Sequence, residues 1–381
     1  TSFTPYVDNT TRFSLFCLAT IELAKQLETD IIHCHDWTTG LIPYLVKQQK
    51  LTFKTIMTIH NLAYQGDYSK YDFLFSGIYP SPLCFTGKGE LKRFNMLKTG
   101  IETADFISTV SPTYAKEIQE KELGCGLNEL LKSRKNNLCG IINGIDINEW
   151  NSQTDPNFTQ HFSSENASGK AKLKAEVQAE YGLEVNPEIP LIGMISRLAD
   201  QKGFYELLEG EDCALEEIAQ KQKVQFLIIG TGDSNFENKL LQISERQPNV
   251  CVKILFSNRV AHRVEGASDF FLMPSRYEPC GLNQLYSLRY GTLPIARRTG
   301  GLADSIIDIS ENSQKGTGFL FDEMNRAGII EVVTKAVAFF KDEKVHYIEA
   351  QRRAMNRDSS WTASALEYLK LYNAIFIGGE R

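Results

Sequence analysis

Short apolar runs recur along this chain, each stopping in polar or glycine residues and most handing over to a helix-like segment. That alternation limits the fold more than any other feature. Asp30-Ile31-Ile32-His33-Cys34-His35-Asp36-Trp37 reads as a strand running into a polar loop. Period two places His33 and His35 on one face at its end. Residues 55–60, 104–110 and 138–142 repeat the pattern and end in His60-Asn61, Ser111-Pro112-Thr113-Tyr114 and Asn143-Gly144-Ile145-Asp146. Pro112 fits the first turn of a helix. After a polar stretch over 151–189, which holds a Lys/Glu-rich helix at 170–181, the pattern restarts. Runs at 190–196, 224–229, 250–256, 270–273 and 292–296 read as further strands. Such alternation predicts an α/β protein with parallel sheets covered by helices. The restart places a boundary near residue 186, giving domains 1–185 and 186–358 and a terminal helical segment, 359–381.

Composition removes several classes. The 381 residues allow two domains of ordinary size, and 42% hydrophobic with 23% charged content describes a globular chain. A net charge of −6 argues against nucleic acid as the main partner. No apolar run approaches the roughly 20 residues of a membrane span. Eight scattered cysteines without a Cys-x-x-Cys pair point to free thiols in a reducing compartment, the cytoplasm or, for a plant or alga, the plastid stroma.

The most chemically loaded stretch is Met273-Pro274-Ser275-Arg276-Tyr277-Glu278-Pro279-Cys280-Gly281-Leu282-Asn283-Gln284. It carries one carboxylate, Glu278, between a strand and the start of a helix. Open α/β sheets bind ligands at such strand ends, where helix N–H groups favour anions. Arg197 and Lys202, five apart at another strand end, form a cation pair suited to a diphosphate. Thr299-Gly300-Gly301 is a second anion candidate, because glycines let backbone approach a phosphate. A solvated Glu and surface cations are the plainer readings of each motif taken alone. The His33 and His35 pair lacks the further ligands a metal needs. Gly230-Thr231-Gly232 is only half of a dinucleotide fingerprint, so a dehydrogenase reading is set aside. Together these groups suggest a nucleotide-linked ligand in a cleft between domains.

These motifs are identified by resemblance with the bacterial glycogen synthases and plant starch synthases, retaining glucosyltransferases of the GT-B fold. The likeness runs through Asp8-Asn9 with Arg12-Phe13, the 33–37 and 58–66 motifs, 111–114 and 143–146. It continues through Ser196-Arg197-Leu198, Gln201-Lys202-Gly203, 274–284, 289–294 and 299–304. It implies two Rossmann-like domains facing a central cleft. It also implies glucose transfer from ADP-glucose to the non-reducing end of an α-1,4-glucan or maltooligosaccharide, with no metal or other cofactor. By this resemblance Arg197 and Lys202 hold the departing diphosphate, and Glu278 sits by the transferred glucosyl unit. His35 binds its 6-hydroxyl. Asp8, Tyr64 and Asn143 line the sugar side. Cys280, Gly281, Asn283, Thr299, Gly300 and Gly301 contact sugar and phosphate, and Phe256 stacks on adenine.

Two departures stand out. Many GT-B enzymes carry a second Glu eight positions after the first; here Tyr286 stands there, as in the glycogen and starch synthase branch. The family's amino-terminal strand and Lys-x-Gly-Gly-Leu loop are not in this sequence. The expectation is an incomplete amino-terminal domain of poor stability, with activity of this chain by itself left open. A non-catalytic glucan-binding fragment, or a related transferase using another sugar nucleotide, are the alternatives. The terminal helix at 363–375 is expected to cross back to the amino-terminal domain.

Overall fold

The computed structural model describes residues 6, 8–69, 71, 72, 78, 81–87 and 92–378. It divides into two compact units, Thr1–Ile142 with Ala365–Arg381, and Asn143–Ser364. The strands of the first unit are β1 (Ile31–His35), β2 (Lys54–Ile59), β3 (Asp67–Ser69), β4 (Phe85–Thr86), β5 (Arg93–Asn95), β6 (Phe106–Thr109) and β7 (Leu138–Gly140). A parallel four-stranded sheet runs β1-β2-β6-β7. The small antiparallel sheet β3-β5-β4 is an addition that the sequence reading lacks. Its strands of two and three residues are too short for periodicity to register. Helix Met96–Thr103 follows, with Asn95 accepting at its N-cap from the Lys98 backbone N–H.

The second unit is built on β8 (Leu191–Leu198), β9 (Gln225–Gly232), β10 (Val250–Ile254), β11 (Phe270–Met273), β12 (Leu293–Arg297) and β13 (Phe319–Phe321). They form one parallel sheet in the order β10-β9-β8-β11-β12-β13. The chain winds outward from β8 in one direction and from β11 in the other. Crossover helices on both faces bury near-continuous apolar runs such as Phe270-Phe271-Leu272-Met273. The switch in winding direction therefore lies between β8 and β11. At such a point adjacent loops diverge and leave a crevice at the strands' carboxyl ends.

The units part at Ile142 and Asn143, not near residue 186. Residues 151–189 are no linker. Trp150 stacks on Tyr286 with ring centroids 3.6 Å apart, and Phe158, Phe162, Leu173 and Val177 join Leu191, Leu227 and Val264 in one core. Helix Ser168–Glu180 buries Lys170, Lys174 and Gln178 at helical spacing. Lys174 Nζ pairs with Asp269 at 2.7 Å, and Lys170 Nζ donates to the Gly266 carbonyl and the Thr292 hydroxyl at 2.8 and 2.7 Å. A lysine face reads as solvated in a sequence. Here each cation has a buried partner, so the helix docks. Helix Trp361–Gly378 ends the described chain, and from Ala365 onward it belongs to the first unit.

Candidate active site

The crevice at the β8–β11 switch point is a cavity of about 180 Å³. Arg197, Lys202, Ser275, Glu278, Gly281 and Asn283 line it, with Met194, Leu272 and Met273 as its apolar floor. Lys202 ends a turn of 3-10 helix, Asp200–Lys202, after β8; Glu278 lies in the loop after β11. The two meet, Lys202 Nζ donating to Glu278 Oε2 at 2.5 Å. Glu278 is 6% exposed, and the Ser275 hydroxyl donates to the same carboxylate oxygen at 3.1 Å. Arg197, by contrast, is exposed at the end of β8. The cavity thus holds a buried carboxylate, a cation paired to it and an exposed second cation. That combination suits a ligand with an anionic segment beside a polyhydroxylated one.

Asn283 opens helix Asn283–Arg289 and donates from its side chain to the Ile195 carbonyl at 2.9 Å, tying the helix start to β8. The Thr299-Gly300-Gly301 turn packs onto the Glu278 loop. Gly301 N–H donates to the Glu278 carbonyl at 3.0 Å. A Cβ on Gly300, whose φ is +43°, would lie 2.0 Å from that oxygen. The glycine here serves a backbone contact that any side chain would break. Cys280 is buried beside the Asn143 backbone N–H, and burial pushes its thiol up to about 11, so it remains a neutral thiol near neutrality. Phe256 stands apart, 94% exposed just past β10.

In the first unit, His33, His35 and His60 cluster at the carboxyl ends of β1 and β2. The His33 and His35 rings stack at 4.4 Å, and His35 Nδ1 lies 3.0 Å from His60 Nε2. His33 is held by Tyr372 OH at 2.8 Å and Thr58 Oγ1 at 2.6 Å. Asp36 adopts φ +56° and accepts from the His60 backbone N–H at 2.8 Å. Burial, then the neighbouring His60, lowers the His35 pKa, so its ring favours the neutral form. Asp8 is exposed ahead of helix Asn9–Gln26, and Tyr64 is exposed in the turn closed by its N–H to the Asn61 carbonyl. Among the described residues no group of three or more His, Cys, Asp or Glu is placed to hold a metal ion. Nor is any helix there long and apolar enough to cross a membrane.

The structure thus brings Arg197, Lys202, Glu278, Gly281 and Asn283 to one cavity. Gly300 and Gly301 do not line it; they pack behind it on the backbone of the Glu278 loop, Gly301 against Cys280. Ser275 and Arg276, beside Glu278 in the second unit, and Thr58 and His60, beside His33 and His35 in the first, are polar residues that spacing alone gives no role. Their partners lie far away in sequence, apart from Ser275, which stands three residues before Glu278.

Comparison with known proteins places this geometry. Residues 1–133 match the family described as starch synthase catalytic domain, and residues 181–353 match glycosyl transferases group 1. The glycogen synthase of Treponema denticola is 39% identical over 374 residues, covering 96% of this chain and 76% of that protein. That of Geotalea daltonii is 42% identical over 379 residues, covering 97% and 77%. Among solved structures, the catalytic domain of starch synthase IV from Arabidopsis thaliana, bound to ADP and acarbose, superposes with a TM-score of 0.87. Its identity is 31%, over 98% of this chain and 79% of that one. Sucrose-phosphate synthase from Thermosynechococcus elongatus, 18% identical over 95% of this chain and 78% of that one, shares the fold at a TM-score of 0.60. The two α/β units are those of a GT-B glycosyltransferase. Within that class, the chain belongs to the glycogen and starch synthase family.

Proposed function

We propose that this chain transfers glucose from ADP-glucose to the non-reducing end of an α-1,4-glucan with retention of configuration. The observation that carries the reading is the Lys202–Glu278 pair in the switch-point cavity. Family membership and a relative solved with ADP and acarbose support it. The bond from the anomeric carbon to the diphosphate breaks, and negative charge grows on the departing ADP. Arg197 and Lys202 are fixed cations for that charge, and fixed charges stabilise a transition state without reorganising. Glu278 holds the Lys202 ammonium and faces the glucosyl unit, easing positive charge near its anomeric carbon.

Asn283, Gly281, Cys280, Thr299, Gly300 and Gly301 contact sugar and phosphate on this reading, with Asn143 on the sugar side and Phe256 under the adenine. His35 is assigned the 6-hydroxyl, and Asp8 and Tyr64 are assigned sugar contacts. The protein's own cations serve the diphosphate, so the proposal includes no metal or other cofactor. Eight free cysteines support a reducing compartment such as the cytoplasm.

The test is glucose transfer onto a maltooligosaccharide from ADP-glucose and, in competition, from UDP-glucose. Activity with ADP-glucose that collapses in Glu278→Gln supports the reading. Glucan binding without turnover from either donor defeats it in favour of a binding fragment, and a preference for UDP-glucose reassigns the donor.

A further inference from the structure

Lys202 rides on a single turn of 3-10 helix, an element with little rigidity of its own. Something else must fix its ammonium at Glu278. Arg276, two residues before Glu278, reaches back across that turn. Its Nε donates to Glu206 Oε1 at 2.7 Å and its Nη1 to Asp200 Oδ2 at 2.8 Å. Its backbone N–H donates to the Gln201 carbonyl at 2.9 Å. Its own carbonyl accepts from the Arg297 guanidinium. Asp200 lies two residues before Lys202 and Glu206 four after it, so one planar guanidinium brackets the cation's element from both sides.

We propose that Arg276 is a positioning residue for the sugar-nucleotide diphosphate, clamping the Lys202 turn to the Glu278 loop. The inference rests on the reading of Lys202 as a diphosphate cation. Stability alone does not account for the arrangement. Asp200 is 58% exposed in its side chain, and ion pairs of that kind add little to global stability. The Glu206 side chain is 11% exposed and contributes more. What the fork supplies is orientation: five donors in a rigid plane fix two carboxylates at once, which a lysine cannot do. The effect is therefore expected on ligand affinity more than on folding.

The experiment is ADP binding by titration calorimetry to the wild-type chain, Arg276→Ala, Lys202→Ala and the double variant, with circular dichroism and melting curves for each. The expected result is about tenfold weaker binding for Arg276→Ala, within the coupling range of networked residues. That loss should vanish when Lys202 is already alanine, and Arg276→Lys should regain only part of it. Glu206→Gln gives a second route should Arg276→Ala fold poorly, and it should weaken ADP in the same direction. Unchanged affinity in both Arg276→Ala and Glu206→Gln overturns the proposal. So does an equal loss in the Lys202→Ala background, which would mean that Arg276 acts other than through Lys202. If Lys202→Ala itself leaves ADP affinity intact, the diphosphate reading fails first and carries this inference down with it.

Discussion

Lys202 and Glu278 stand 76 positions apart in the chain and meet at 2.5 Å, one from the turn after β8 and one from the loop after β11. Their side chains are 20% and 8% exposed. A pair at this depth is costly to halve, because the survivor keeps its burial and loses its partner. Lys202→Met should therefore destabilise the fold by about 2 kcal/mol, below the range for fully buried pairs because Lys202 retains some solvent. The double change Lys202→Met with Glu278→Gln should recover part of that loss. Urea denaturation midpoints measure both, and equal stability of the single variant and the wild type would remove the pair from the account of the fold.

Gly203, directly after Lys202, has φ +78°, and a Cβ there would lie 1.8 Å from the Pro274 carbonyl oxygen. Two penalties coincide: a left-handed backbone that an L side chain resists, and a backbone atom that cannot step aside. Gly203→Ala is expected to cost about 2–3 kcal/mol. It should also lower kcat/KM for the sugar nucleotide by more than stability explains, since Lys202 moves with it. Gly182, also at positive φ but with open space around its Cβ position, is the control, and its alanine variant should leave kcat/KM unchanged. Equal kinetic losses at the two glycines would show that close packing is not the cause.

The parallel strands, the helix after Pro112 and the loops bearing Lys202 and Glu278 were legible because each depends on local chemistry. An apolar run, a proline at a helix start and a glycine at a turn announce themselves within a few residues. The boundary at Ile142 was not legible, because it turns on Lys170 and Lys174 being buried against Thr292 and Asp269, partners about a hundred positions away. The bracket that Arg276 makes around Lys202 was hidden for the same reason. So was the use of His33, whose partners Tyr372 and Thr58 come from the last helix and the neighbouring strand. Sequence spacing shows which residues share a face; it does not show what meets that face.

His33 also gives a pH signature. Burial first, then the neighbouring His35 and His60, holds its pKa down at about 4. An unfolded histidine takes up its proton near pH 6.5, so between those values the unfolded chain binds more protons than the folded one. Stability should therefore fall as pH drops from about 6.5 to about 4 and lose this component's slope below that. His33→Gln should flatten that limb. At neutral pH it should also cost about 1 kcal/mol for each bond lost to Tyr372 and Thr58. Denaturation midpoints across this pH window decide the matter; parallel curves for variant and wild type would place the titration on another group.

Phe256 is the opposite case to these buried groups. At 94% exposure it contributes almost nothing to the core, so truncating it should leave the melting temperature unchanged within error. A large aromatic ring left in water just past the end of a strand in a parallel sheet gains nothing until another flat surface covers it. If that surface is the adenine, Phe256→Ala should raise KM for ADP-glucose several-fold, since a stacked aromatic pair contributes about 1 kcal/mol. The change in kcat should be smaller, because the ring binds ground state and transition state alike. Phe256→Tyr should keep the wild-type KM, as the stacking face is unchanged. Steady-state kinetics with varied ADP-glucose separates the two constants. An unaltered KM in the alanine variant would take Phe256 out of the nucleotide site, whereas a matched fall in kcat would mean that the ring acts in the transfer step itself.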